Sequence, residues 1–193
     1  VSSPKPVDLA QVAARSNFAE TAFFYPTLRT DANGEVSFVF TVPDALTRWK
    51  FRAFALSSDL SIGLTESSAV TQKPLMVQPN LPRFFREGDR ISVSAKISAL
   101  EDKDLKGKCQ LFLLDAFTGK PIGKLFSLTK AQKSFKVGKG QSTVLSWELR
   151  VPEGLGAVTC RIVAKSGTFS DGEEVLLPIL SNRMLVTESL PLP

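Results

Sequence analysis

The chain of 193 residues contains no histidine. That absence removes a Ser-His-Asp triad, a His-assisted cysteine nucleophile and the common zinc sites together. No apolar run reaches the ~18 residues of a membrane-spanning helix, and no basic-then-apolar leader or heptad pattern occurs. The chain as given is therefore expected neither to span a membrane nor to carry its own export signal. Its opening, VSSPKPVDLA, reads as part of something longer, which accounts for the missing signal. Glycine-rich loops of the phosphate- or dinucleotide-binding kind are also lacking. Glu101, Asp102 and Asp104 are close in sequence, but they form a turn beside Lys103 and Lys106. They lack the signs of a buried carboxylate pair and make a poor calcium loop. The expectation is no enzyme, no cofactor and no metal.

What the chain does have is 14 phenylalanines, 12 glycines and 12 prolines, against one tyrosine and two methionines. Its hydrophobic fraction is 43% and its mean hydropathy +0.05. Aromatic-rich runs broken by turn formers predict an all-β protein.

The net charge of +5 is unevenly spread. Residues 1–72 hold six Lys/Arg and seven Asp/Glu, and residues 73–193 hold eighteen and twelve. Between Ala116 and Trp147 stand Lys120, Lys124, Lys130, Lys133, Lys136 and Lys139 without an acid. Such a stretch attracts phosphate in principle. It lacks clustered arginines, stacking aromatics and a helix to enter a groove, so a solvated, aggregation-resistant surface is expected, with no nucleic acid and no membrane contact. Cys109 and Cys160 each lie in an apolar alternating run. They are expected on facing strands of the second sandwich, either paired or both reduced in its core.

Strand signals run through the rest. Thr21–Tyr25 and Val36–Val42 are predicted to pair across an Asp31–Gly34 turn, followed by strands over Trp49–Ala55 and Ile62–Ala69. Four strands make only part of a sandwich, so the first region reads as unfinished. Seven further strands are predicted: Leu75–Gln78, Ile91–Ala99, Lys108–Asp115, Ile122–Ser127, Ser142–Val151, Val158–Ala164 and Glu173–Leu180. At this spacing they describe an immunoglobulin- or fibronectin-like β-sandwich. Two domains are expected, 1–73 and 74–193, with the boundary between Ala69 and Gln78.

Three phrases in order resemble the alpha-2-macroglobulin family, particularly its large bacterial members. The first runs from Asn17 to Pro26 around Glu20-Thr21 and an aromatic run. The second is Val42 to Trp49, with Pro43, Asp44, Thr47 and Trp49. The third is Leu81-Pro82 followed by Glu87-Gly88-Asp89. Vertebrate relatives carry Arg-Gly-Glu at that interval, and here the basic residue stands one place early, as Arg86.

The resemblance implies a large protease-trapping parent built from macroglobulin domains, with a bait segment and, in many members, an internal thioester. Residues 1–73 would be the C-terminal part of a domain divided by the bait. Residues 74–193 would be a complete macroglobulin domain, with Arg183–Pro193 leading toward the thioester region. The thioester signature Gly-Cys-Gly-Glu-Gln is absent from the sequence. The expected role is a structural and conformational module of a protease inhibitor. Its partners would be neighbouring macroglobulin and thioester domains and, through the parent, target proteases. The location would be extracytoplasmic: periplasmic, membrane-anchored through the parent, or secreted. The alternative is an exported β-sandwich that binds carbohydrate or protein through a loop. Trp49 reads as a core anchor, and Leu81-Pro82 and Gly88 as an inter-sheet crossing and its turn, with Asp89 accepting backbone bonds. Arg83, Phe84, Phe85 and Arg86 form either a domain-interface seam or plain surface. Self-association is expected through an open face on residues 20–70.

Overall fold

The computed structural model describes residues 8–183. The opening at 1–7 and the expected exit from 184 onward lie outside the described residues. All regular structure among those residues is strand, in ten segments and three sheets. They form two compact units, one of residues 15–74 and one of 8–14 with 75–183.

In the first unit β1 (Arg48–Leu56) and β2 (Ile62–Val70) form an antiparallel hairpin from Arg48↔Val70 to Leu56↔Ile62. Asp59 organises its turn, where the Ser57 and Ser61 hydroxyls hold the carboxyl below its ordinary pKa. Alternation puts Trp49, Phe51 and Ala53 on the half-buried side of β1, whereas all nine residues of β2 are exposed. The predicted strands Thr21–Tyr25 and Val36–Val42 do not form a ladder. Their turn does form: Asp31 Oδ1 accepts the N–H groups of Asn33 and Glu35 at 2.8 and 2.9 Å, and Gly34 takes the positive φ of 81°. Side chains join the two arms instead, with Phe23 against Phe40 at 4.4 Å and Tyr25 against Phe38 at 5.5 Å. Pro26 has no N–H to donate, so pairing cannot run continuously from Tyr25 into the turn.

The second unit is a β-sandwich. One layer orders β4 (Phe85–Arg86), β10 (Phe169–Leu180), β9 (Ala157–Ser166), β6 (Leu105–Asp115) and β7 (Gln132–Val137). The other orders β3 (Leu75–Asn80), β5 (Arg90–Ala99) and β8 (Ser142–Arg150). Residues of alternate parity fill the space between, including Val77, Val93, Ile97, Leu111, Leu113, Trp147, Val158 and Ile162. Asp171 on β10 is fully buried and accepts the Val77 N–H of β3 at 2.8 Å, stitching one layer to the other.

Three strand assignments change, the first being β4, a two-residue strand that the sequence did not signal. Ile122–Ser127 is a chain of tight turns, with Leu125, Phe126 and Ser127 N–H groups bonding Ile122, Gly123 and Lys124 carbonyls. Phe126 plugs the core there, 6.2 Å from Phe85. The strand lies later, at Gln132–Val137, where only Phe135 and Val137 are buried. Residues 8–14, expected with the first domain, pack with the second unit. Leu9 and Val12 close over Val163, and the Arg161 guanidinium donates to the Ala10 and Val12 carbonyls.

Candidate functional site

Two of the three phrases meet in the first unit. The Asp44 N–H donates to the Asn17 carbonyl at 2.7 Å, and the Asp44 carboxylate accepts the N–H groups of Asn17 and Ser16 at 3.0 and 3.1 Å. Those two N–H groups hold the Asp44 carboxyl below the usual carboxylate range. Pro43 is buried beside it.

Thr71, which sequence reasoning passed over, ties the second phrase to the far end of the hairpin. Its hydroxyl accepts the Trp49 indole N–H at 3.1 Å and the Thr47 N–H at 3.2 Å, and donates to the Ala45 carbonyl at 2.7 Å. The hydroxyl's hydrogen-bonding capacity is then full. Trp49 is half-buried with its polar handle satisfied. Glu20, Thr21, Phe23, Phe40, Thr47, Trp49, Phe51 and Thr71 line one groove of 870 Å³.

The third phrase belongs to the second unit. Leu81 packs against the core, Pro82 is half-buried, and Phe85 turns inward at 2% exposure. Of the four residues weighed as an interface seam, Phe85 is therefore core, because it fills space against Phe126. Arg83, Phe84 and Arg86 are exposed.

The acid that binds backbone through its side chain is Glu87. Its buried carboxylate accepts Gly154 N–H at 2.8 Å and Asn182 N–H at 3.3 Å. The Asn182 amide returns a bond to the Glu87 carbonyl at 2.6 Å, and Glu87 N–H reaches the Leu180 carbonyl at 2.9 Å. Asp89 takes part through its carbonyl, which accepts Val151 N–H at 2.8 Å. Gly88 between them has a φ of 81°, which favours glycine. The phrase thus ties together the β4–β5 turn, the β8–β9 connection and the end of β10.

Cys109 and Cys160 are free and buried on neighbouring strands of one layer, not on facing strands of two. Cys109 stands opposite Ala164 and Cys160 opposite Leu113, which separates them by four positions along the ladder. At ~3.3 Å per residue that is beyond disulfide reach. Burial pushes both thiols up to about 12, so neither is a thiolate nucleophile near neutral pH.

Asp102 pairs with the Lys139 ammonium at 2.9 Å, and Asp104 accepts the Lys139 N–H at 3.2 Å. Among the described residues, no three His, Cys, Asp or Glu side chains come together as a metal site, and no helix is long and apolar enough to cross a membrane. Lys133, expected in solvent, closes the edge of the sandwich: its ammonium lies 5.7 Å from the Trp147 ring and donates to the Ser146 carbonyl.

The alpha-2-macroglobulin family model matches residues 21–111. Similar curated proteins are an alpha-2-macroglobulin homolog of Nostoc sp., 33% identical over 46% of this chain, and an alpha-2-macroglobulin of Thermotoga maritima, 34% identical over 50%. The matched stretches make up 5% and 6% of those proteins. A crystal structure of trypsin-activated alpha-2-macroglobulin from Escherichia coli superposes on 79% of this chain, and 10% of that one, with a TM-score of 0.65 at 19% identity. Residues 21–111 thus resemble a segment of the alpha-2-macroglobulin family, and the chain shares its fold with part of that Escherichia coli structure.

Proposed function

We propose that the chain is a structural and conformational module of a larger alpha-2-macroglobulin-type protease-trapping protein, with no catalytic or covalent-capture chemistry of its own. The observation that carries this reading is where the family phrases go. Glu20, Thr21, Asp44, Thr47 and Trp49 build the bonded frame and groove of the first unit, with Pro43 buried beside them, and Leu81 to Asp89 build the knot that fixes the end of β10 in the second. No nucleophile is poised in either place: the thiols are buried with high pKa values, and the sequence has no histidine.

The exposed hairpin β1–β2 is the surface where the parent's neighbouring macroglobulin segments dock. Left uncovered, it promotes self-association of the chain. An extracytoplasmic location belongs to the same proposal.

The test is incubation of the chain with serine, cysteine and metalloproteases, followed by residual activity against a large protein substrate and denaturing electrophoresis. Unchanged activity and no covalent adduct are expected. Stoichiometric inhibition, or an adduct that survives denaturation, overturns the module reading.

A further inference from the structure

On the outer face of the five-stranded layer, Lys106 and Lys108 of β6, Lys136 of β7 and Lys165 of β9 share one side. They alternate with the inward Leu105, Cys109, Phe135, Val137 and Ala164. The register sets Lys106 opposite Lys136 and Lys108 opposite Lys165. Like charges directly opposite each other destabilise a sheet.

The backbone holds the cluster tightly. Ser166 Oγ donates to the Lys106 carbonyl at 2.8 Å, and at Gly107 any Cβ would stand 2.0 Å from the Lys165 carbonyl oxygen. Only glycine permits that approach between β6 and the end of β9.

Among the described residues the charge of this face is only partly balanced. The other charged groups here include Arg161 on β9 and Glu174 on β10, which face each other at 4.0 Å, and Asp8 on the segment packed over Val163. Just before β6, Asp102 pairs with the Lys139 ammonium, and Asp104 accepts only the Lys139 backbone N–H. Among the described residues no acid forms an ion pair with any of the four lysines. Protection of an exposed edge accounts for Lys136, since β7 is the outermost strand. It does not account for Lys106, Lys108 or Lys165, which stand on interior strands.

We propose that this face docks on an anionic phospholipid surface. Complementarity of charge selects the partner class, and lysine, a compact point charge on a flexible stem, suits phosphate headgroups that offer no fixed geometry. The face lacks what a nucleic acid requires. It presents no helix, and Phe112, its nearest aromatic, lies 6.0 Å from the Arg161 guanidinium and packs with Leu9 and Val12. Each lysine at such a surface is worth roughly a five-fold change in partition.

The experiment is co-sedimentation of the full chain at low salt with vesicles of phosphatidylcholine, with and without phosphatidylglycerol. Binding is expected only with phosphatidylglycerol, weakening as salt rises. The variant K106Q/K108Q/K136Q/K165Q should bind about 100-fold or more weakly. It should melt no lower than the parent, because its like-charge pairs are relieved. The control K96Q/K120Q/K124Q/K130Q removes the same charge elsewhere and should lose only a few-fold. Three results overturn the proposal: no sedimentation with phosphatidylglycerol, equal losses in the two variants, or binding of DNA through the four lysines while vesicles stay unbound.

Discussion

The two units place their apolar side chains in opposite ways. In the second, Val93, Ile97, Leu111, Leu113 and Ile162 vanish between two bonded layers. In the first, Phe54, Ile62 and Leu64 remain 63%, 66% and 79% exposed on a lone hairpin. Sequence hydrophobicity is similar in kind on both sides of Pro74, so what differs is the presence of a second layer. A hairpin with no second sheet across from it gains little from the apolar residues of its open face, and its order comes from local bonds such as those of Thr71 and Asp44 and from the contact of Phe23 with Phe51 at 6.2 Å.

The largest effect that can break this contrast is a paired truncation. Trp147→Ala empties a fully packed position and removes the bond from its indole N–H to the Ala131 carbonyl. It should cost about 3–5 kcal/mol in a denaturant titration. Leu64→Ala on β2 should cost no more than ~0.5 kcal/mol. Comparable losses from the two would mean that the first unit is covered in the chain alone.

Next comes Glu87→Ala, which leaves the Gly154 and Asn182 N–H groups without their buried acceptor. About 2–3 kcal/mol of stability should go, together with amide protection at 180–183. Glu87→Gln keeps an acceptor and should lose less. A neutral Glu87→Ala would remove the knot from the account of the second unit.

The thiols sharpen the contrast with a smaller signal. Burial raises both folded-state pKa values from 9.0 to about 12, so protons are held more tightly in the folded chain. That contribution is complete below pH 9, and it is lost as pH rises from there toward 12. Thiol titration at pH 8 should therefore report none in the native chain and two after denaturation. Rapid native labelling would show the core of the second unit to be open.

Much of this arrangement was legible in the sequence, and the failures have physical causes. The alternations at Ile91/Val93/Ala95/Ile97 and along Lys108–Asp115 marked strands because one face of each is buried. Gly34 marked a turn because it adopts positive φ in a turn that Asp31 caps. Gln132–Val137 escaped because an outer strand buries only Phe135 and Val137. Ile122–Ser127 misled because Phe126 is buried by a turn instead of a strand. The bonds made by Thr71, Arg161 and Asp171 depend on residues far away in the chain, and no local period announces them. Asp171 did leave a trace, an acid of core parity two places before Glu173 and four before Val175.

The central claim is that the second unit carries its own stability while the first awaits a covering layer. Native-state hydrogen–deuterium exchange on the whole chain tests it directly. The account predicts that amides of β5, β6 and β9 exchange only through global unfolding, and that those of β1 and β2 exchange orders of magnitude faster through local opening. Equal protection of the hairpin and the sandwich strands would contradict it.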